Sequence, residues 1–270
     1  MPAGVTLTAY TGPCTITTAN TVIDSKTITC GGNLDIRASG VVIRRSHFIG
    51  GVSYAGITVL SGSLTIEDSW IENRVCRDCS VDAPGGTFTI RRTDISGSNR
   101  YVFCESTCRL EDNWLHDSGL STNGDEHASA VRVQQNATLI HNSLHCSYTD
   151  PQGERGCSAD MSGYPDFAPI RNNTMIRNLF RANNVGQYYC AYGGATGGKP
   201  YSNDPTNATN IVFRENIFER GPNGRCGTGW AITDFACNRT GNVWQNNRWN
   251  TGELVSITGP TNPGPTSCGV

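Results

Sequence analysis

Ile43-Arg44-Arg45-Ser46, Ile66-Glu67-Asp68-Ser69, Ile90-Arg91-Arg92-Thr93 and Leu110-Glu111-Asp112-Asn113 are four copies of one phrase: an apolar residue, two charged ones and a small polar one. The phrase continues as Leu139-Ile140-His141-Asn142, Ile170-Arg171-Asn172-Asn173, Phe213-Arg214-Glu215-Asn216 and Trp244-Gln245-Asn246-Asn247. Its last position runs Ser, Ser, Thr and then Asn to the end. A unit of this length with β-forming residues and a fixed polar corner predicts a solenoid. Amides stacked about 4.8 Å apart bond along the stack, so a ladder at one coil corner accounts for the Asn run. Long runs with apolar spacings of three and four, which helical repeats need, are missing. The expected fold is all-β, a single right-handed parallel β-helix of about eight to ten coils.

Early copies are spaced by 23, 24 and 20 residues, later ones by 29, 31, 43 and 31. A coil cannot lengthen without breaking its stack, so the excess must leave as loops. These fall at Gly119–Ala128, at Ser147–Ala159 with Tyr164–Ala168, at Gly193–Thr209 and at Gly221–Trp230. Long loops on successive coils of a rigid scaffold build a functional surface, or else shield strand edges. A second strand precedes each phrase, as at Gly56–Val59, Tyr101–Phe103, Ala130–Val133, Tyr188–Tyr192 and Ala231–Thr233. Alternation puts Val131 and Val133 inside and Arg132 outside. No Pro/Ser linker divides the chain, so residues 1–270 read as one domain. Residues 1–40 supply a cap and first coil, and 250–270 a covering tail, since terminal coils need caps.

The 270 residues carry a net charge of −2, 37% hydrophobic and 16% charged residues, and 31 Gly. Nothing in that balance points to a nucleic-acid partner, and no apolar run approaches the ~20 residues of a membrane span. A monomer is expected. Twelve cysteines indicate an oxidising compartment and a secreted protein. No signal peptide is evident, so Met1 before Pro2 reads as a start added to a mature chain. Cys14–Cys30, Cys104–Cys108 and Cys146–Cys157 bracket short loops, and Cys190–Cys226 would join neighbouring coils. Cys237–Cys268 would tie down the tail, and Cys76–Cys79 would close a tight local bridge. Cys76-x-x-Cys79 as half a zinc site lacks a second such pair. Sequons stand at Asn136, Asn172, Asn207 and Asn238.

Nearly the whole chain resembles the right-handed parallel β-helix superfamily typified by pectate lyases, and within it a set of secreted actinobacterial β-helix proteins of largely undefined activity. The resemblance is carried by Pro2–Cys14, Ile36–Arg44, Gly156–Asp160, Cys190–Gly194 with Gly198–Tyr201, and Gly241–Trp244. The superfamily holds lyases, hydrolases, esterases, epimerases and tailspikes, and fold does not choose among them. In His127-Ala128-Ser129-Ala130-Val131-Arg132, His127, Ser129 and Arg132 match the subgroup. Its Glu and Gly are replaced here by Ala128 and Ala130.

Lyases acting on uronic acids need a cation for the enolate and a base. Arg132 suits the first role and His127 the second; the plainer alternative pairs Arg132 with Asp125 or Glu126 at the surface. A hydrolase reading takes Asp125 or Glu126 with Asp160, one coil away, near the ~5–5.5 Å of retaining carboxylates. The plainer alternative makes them loop caps. The same acids could ligate Ca²⁺, but no dense Asp cluster supports that, and no cofactor is expected. Tyr189, Tyr192 and Tyr201, with Lys199 beside them, offer a sugar platform, whereas Trp114 reads as packing. Ser129 with His127 lacks a nucleophile elbow, and Gly193–Gly198 lacks the Lys-Ser/Thr of a phosphate loop. A polysaccharide lyase is the first expectation, a glycoside hydrolase the second and a non-catalytic carbohydrate-binding or cell-surface module the third.

Overall fold

The computed structural model describes residues 3–51, 56–73, 79–119, 127–148, 156–259 and 265–269, with backbone only at Cys79 and His127. Every regular element among them is a strand, 28 in all. The strands return in rotation to three parallel sheets, one of ten strands and two of nine. This is the parallel β-helix expected from the phrase. The first sheet runs from Thr8–Ala9 to Arg248–Trp249, the second from Thr15–Ile16 to Trp230–Thr233, and the third from Val22–Asp24 to Val243–Gln245. No helix among the described residues is long and apolar enough to cross a membrane.

The apolar residue that opens each phrase lies in the third sheet. Ile43, Ile66, Ile90, Leu110, Leu139, Met175, Phe213 and Trp244 stack in register, all at most 1% exposed. Each coil thus buries its apolar face on the next, and the core grows from aliphatic to aromatic toward the C-terminus. Phe180 stacks on Phe218 at 4.6 Å, and Phe213 meets Trp244 at 5.4 Å.

The chain then turns a corner. The third phrase residue is left-handed in every coil, with φ between 48° and 58° at Arg45, Asp68, Arg92, Asp112, His141, Arg177, Glu215 and Asn246. Such a conformation costs a non-glycine residue about 1–3 kcal/mol, which the ladder offsets. Asn142 Oδ1 accepts both the backbone N–H and the side-chain amide of Asn113, at 3.0 and 2.9 Å. Asn142 Nδ2 donates back to Leu110 O and onward to Asn178 Oδ1. Asn178, Asn216 and Asn247 repeat the pattern.

One rung differs from the sequence reading: Asn178, not Asn173, stands in the column. Met175-Ile176-Arg177-Asn178 is the sixth copy, because Met175 pairs with Leu139 and Phe213. Asn173 is buried where the third-sheet strand begins and accepts from Ala137 N–H at 2.8 Å. Asn207 and Asn242 do the same for Ile170 and Ile211, a second set of buried amides confined to the later coils.

Cys14–Cys30, Cys104–Cys108, Cys146–Cys157, Cys190–Cys226 and Cys237–Cys268 are disulfide-bonded as expected. The expected Cys76–Cys79 bridge falls outside the described residues.

Candidate functional site

Long connections flank the second sheet on both sides in its later coils. On one side they lead into it, from Leu179–Phe180 to Tyr189–Tyr192 and from Ile217–Phe218 to Trp230–Thr233. On the other they leave it, from Gly156–Ser162 to Arg171–Ile176 and from Tyr189–Tyr192 to Thr209–Arg214. Of the expected insertions, the end of Ser147–Ala159 is instead strand from Gly156 onward, and most of Gly119–Ala128 lies outside the described residues. Between the loops, Phe103, Arg132, Ser162, Tyr192 and Thr233 occupy one register line across five coils.

Arg132 departs from the exposed position that alternation predicts: it is 8% exposed. The segment Tyr164-Pro165-Asp166-Phe167-Ala168-Pro169 folds over it. Arg132 pairs with the Asp166 carboxylate, and its guanidinium lies over both Phe103 and Phe167, 5.4 and 4.8 Å from the ring centres. Gln134 anchors the covering segment, donating to Tyr164 O and accepting from Ala168 N–H. Tyr201 N–H donates to Pro165 O. Asp125 and Glu126, the partners considered from the sequence, lie outside the described residues.

Lys199 reaches the other oxygen of Asp166 at 3.1 Å and sits 5.3 Å above the Tyr164 ring. Aromatic rings continue from there: Tyr164 lies 4.7 Å from Tyr192, Tyr192 5.7 Å from Tyr189, and Tyr189 4.8 Å from Tyr188. Burial pushes the phenols of Tyr164 and Tyr192 up, and a hydrogen bond joins them. Both therefore stay protonated at neutral pH. Tyr189, Tyr192 and Lys199 are half-buried, and Tyr201 is exposed. The structure thus brings together Arg132, Lys199, Tyr189 and Tyr192, and sets Tyr201 at the edge through its contact with Pro165.

Asp160 is in a different place. It has no exposed surface. Its Oδ1 accepts from Cys146 N–H at 2.8 Å, and it lies within 4.8 Å of the sulfurs of Cys190 and Cys226. Burial pushes its carboxyl well above the usual range. A neutral acid in the core does not meet a polymer, so the carboxylate pair expected with Asp125 or Glu126 loses its described member. Nor does this trio offer a metal centre, because the two sulfurs are bonded to each other. Ser129 is also buried, accepting from Ser162 Oγ at 3.1 Å. His127 opens the strand His127–Val133 opposite Gly156, and its side chain is outside the described set. Trp114, read as packing, is 49% exposed and stacks on His116 at 3.6 Å on the first sheet.

Sequence reasoning marked Tyr164–Ala168 as an insertion but missed Asp166, Phe167 and Tyr164 as site residues. The Pro165 and Pro169 that bracket Asp166-Phe167-Ala168 were the available signal, since paired prolines fix a loop's course. Comparison with family models, curated proteins and solved structures finds no match for the chain.

Proposed function

We propose that this is a secreted carbohydrate-active protein that lays an acidic polysaccharide along the aromatic row and cleaves it by β-elimination, as a polysaccharide lyase. The observation that carries the reading is the row itself. Tyr188, Tyr189 and Tyr192 of one coil, with Tyr164 of the coil before, lead into the Lys199–Asp166–Arg132 charge group. Aromatic faces stack on the C–H faces of sugars while their polar tips reach hydroxyls. Five disulfides suit an oxidising, extracellular setting.

For elimination, Lys199 supplies the cation that draws charge from the uronate carboxylate as the neighbouring carbon loses its proton. The Tyr192 phenol, kept protonated by burial, gives its proton to the departing glycosidic oxygen. His127 is the base. Arg132 works one step back, holding Asp166 and through it Lys199.

One observation favours a second reading, binding without cleavage: Arg132 and Asp166 already neutralise each other under a covering loop. A screen of acidic polysaccharides separates the readings. Lyase action raises ultraviolet absorbance from the new carbon–carbon double bond conjugated to the carboxylate. Retention with no new absorbance or reducing ends leaves the binder. New reducing ends without that absorbance contradict both.

A further inference from the structure

The second sheet ends at Trp230–Thr233, the last strand of its stack. Beyond that strand the C-terminal tail crosses the end of the helix and is fixed there. Trp230 Nε1 donates to Ser256 O at 2.9 Å, Trp244 Nε1 donates to Val255 O at 3.1 Å, and Cys268 is bonded to Cys237. Between the tail and the last two strands lies a cavity of about 590 Å³, whose walls include Tyr188, Tyr189, Trp230, Thr233, Asp234 and Ile257. That volume falls within the roughly 300–1,000 Å³ of small-molecule sites.

The walls have the chemistry of a sugar site. Tyr188, Tyr189 and Trp230 offer aromatic faces. Asp234 offers a carboxylate, oriented by Thr196 Oγ1 at 2.6 Å and Thr233 Oγ1 at 3.3 Å. A carboxylate accepts hydrogen bonds from adjacent sugar hydroxyls. Its place is tightly fixed: Asp234 is left-handed, with φ 55°, and a Cβ at Gly193 would come within 2.9 Å of its carbonyl. The cavity also continues the aromatic row, because Tyr189 pairs with Trp230 and Tyr192 with Thr233.

A glycan lying along the row and running toward the C-terminus therefore enters this cavity and meets the tail. We infer that the cavity is a terminal subsite, which takes the last sugar of a polysaccharide chain, so that the protein engages its polymer by a chain end. The inference rests on the carbohydrate reading above and adds the mode of engagement.

Calorimetric titration tests it, with polygalacturonate and alginate each fractionated into short and long chains. An end-binder counts ends, so bound protein per gram rises in proportion as the chains shorten. Asp234→Asn, whose amide tolerates the left-handed conformation, should weaken binding about tenfold by losing an ionised acceptor. Trp114→Ala, on the first sheet, should leave binding unchanged. Binding per gram that is independent of chain length would overturn the terminal subsite while leaving the carbohydrate reading intact. Wild-type affinity in Asp234→Asn would also overturn it. Binding of neither polymer would remove the carbohydrate reading and this inference together.

Discussion

The early and late coils share one architecture but are held by different side-chain chemistry. In the early coils the ladder is made of hydroxyls. Ser46 Oγ accepts from Lys26 N–H and donates back to Arg44 O of its own coil. Such a rung gives one side-chain bond between coils. Outside it, charge alternates coil by coil through Asp24, Arg44, Glu67, Arg91 and Glu111 in register. Each inner charge therefore meets opposite sign above and below, as in the pairs of Arg44 with Asp24 and Arg91 with Glu67. In the late coils each Asn rung gives three bonds between coils, and a second set at Asn173, Asn207 and Asn242 reinforces it. Those are the coils that carry the long loops. A coil that must hold an insertion in place gains from the rung with more donors, so ladder chemistry follows the functional load.

The largest effect should come from the ladder. Asn178→Ala strips partners from the buried Asn142 N–H, one Asn142 amide hydrogen and Leu139 O. At roughly 1–3 kcal/mol for each of the three orphaned groups, the loss should be about 3–9 kcal/mol. Ser69→Ala, which frees only the Ser46 N–H, should lose about 1–3 kcal/mol. Urea unfolding of the two variants measures the contrast, and equal losses would break it.

Next is the covalent link between late coils. Replacing Cys190 and Cys226 together by Ala should cost about 2–4 kcal/mol, mainly by freeing the unfolded chain. Calorimetric melting checks this. An unchanged midpoint would mean that hydrogen bonds alone hold these loops.

The ion pairs follow. Arg132→Ala uncovers a carboxylate beneath the covering loop, a change expected to cost about 2–3 kcal/mol. That lies below the range for full burial because Asp166 keeps Lys199. Arg92→Ala, in the exposed early ladder with Asp68, should cost at most about 1 kcal/mol. Similar losses would dissolve the distinction between a site cation and a surface one.

One change has the opposite sign. The folded chain keeps a proton on Asp160 that the unfolded chain releases above about pH 3.9. From there up to the raised folded value the native state binds more protons, so this contribution to stability falls as pH rises; below the window it is fully present. Asp160→Asn cannot ionise. Its melting temperature should therefore exceed wild type near neutral pH, with the gain vanishing in acid. Parallel melting curves across pH would contradict the burial of a neutral acid.

The fold was legible because the phrase marks a corner that each coil must repeat. The ladder residue, the left-handed residue before it and the core residue opening it are all local in sequence. The slip at the sixth coil shows the limit of that signal. Ile170–Asn173 and Met175–Asn178 both fit the phrase, and only pairing with Leu139 chooses between them. The site was half legible. Tyr189, Tyr192 and Lys199 stand in strands and glycine-rich turns whose placement follows from the coil. The partner of Arg132 comes from an insertion 34 residues away, and no periodicity encodes which loop residue folds onto which strand. Asp160 misled because coil spacing gives a separation and says nothing of burial, whereas the Cys190–Cys226 disulfide from other segments of the chain lies beside it.

Hydrogen–deuterium exchange with a retained acidic polysaccharide tests the central claim most directly, because it reads both halves of the helix at once. The account predicts slowed exchange in the segments bearing Tyr164–Ala168, Tyr188–Tyr201 and Trp230–Phe235, and none across Val41–Ser96. Protection centred on the early coils, or spread evenly along the helix, would contradict a site built by the late loops.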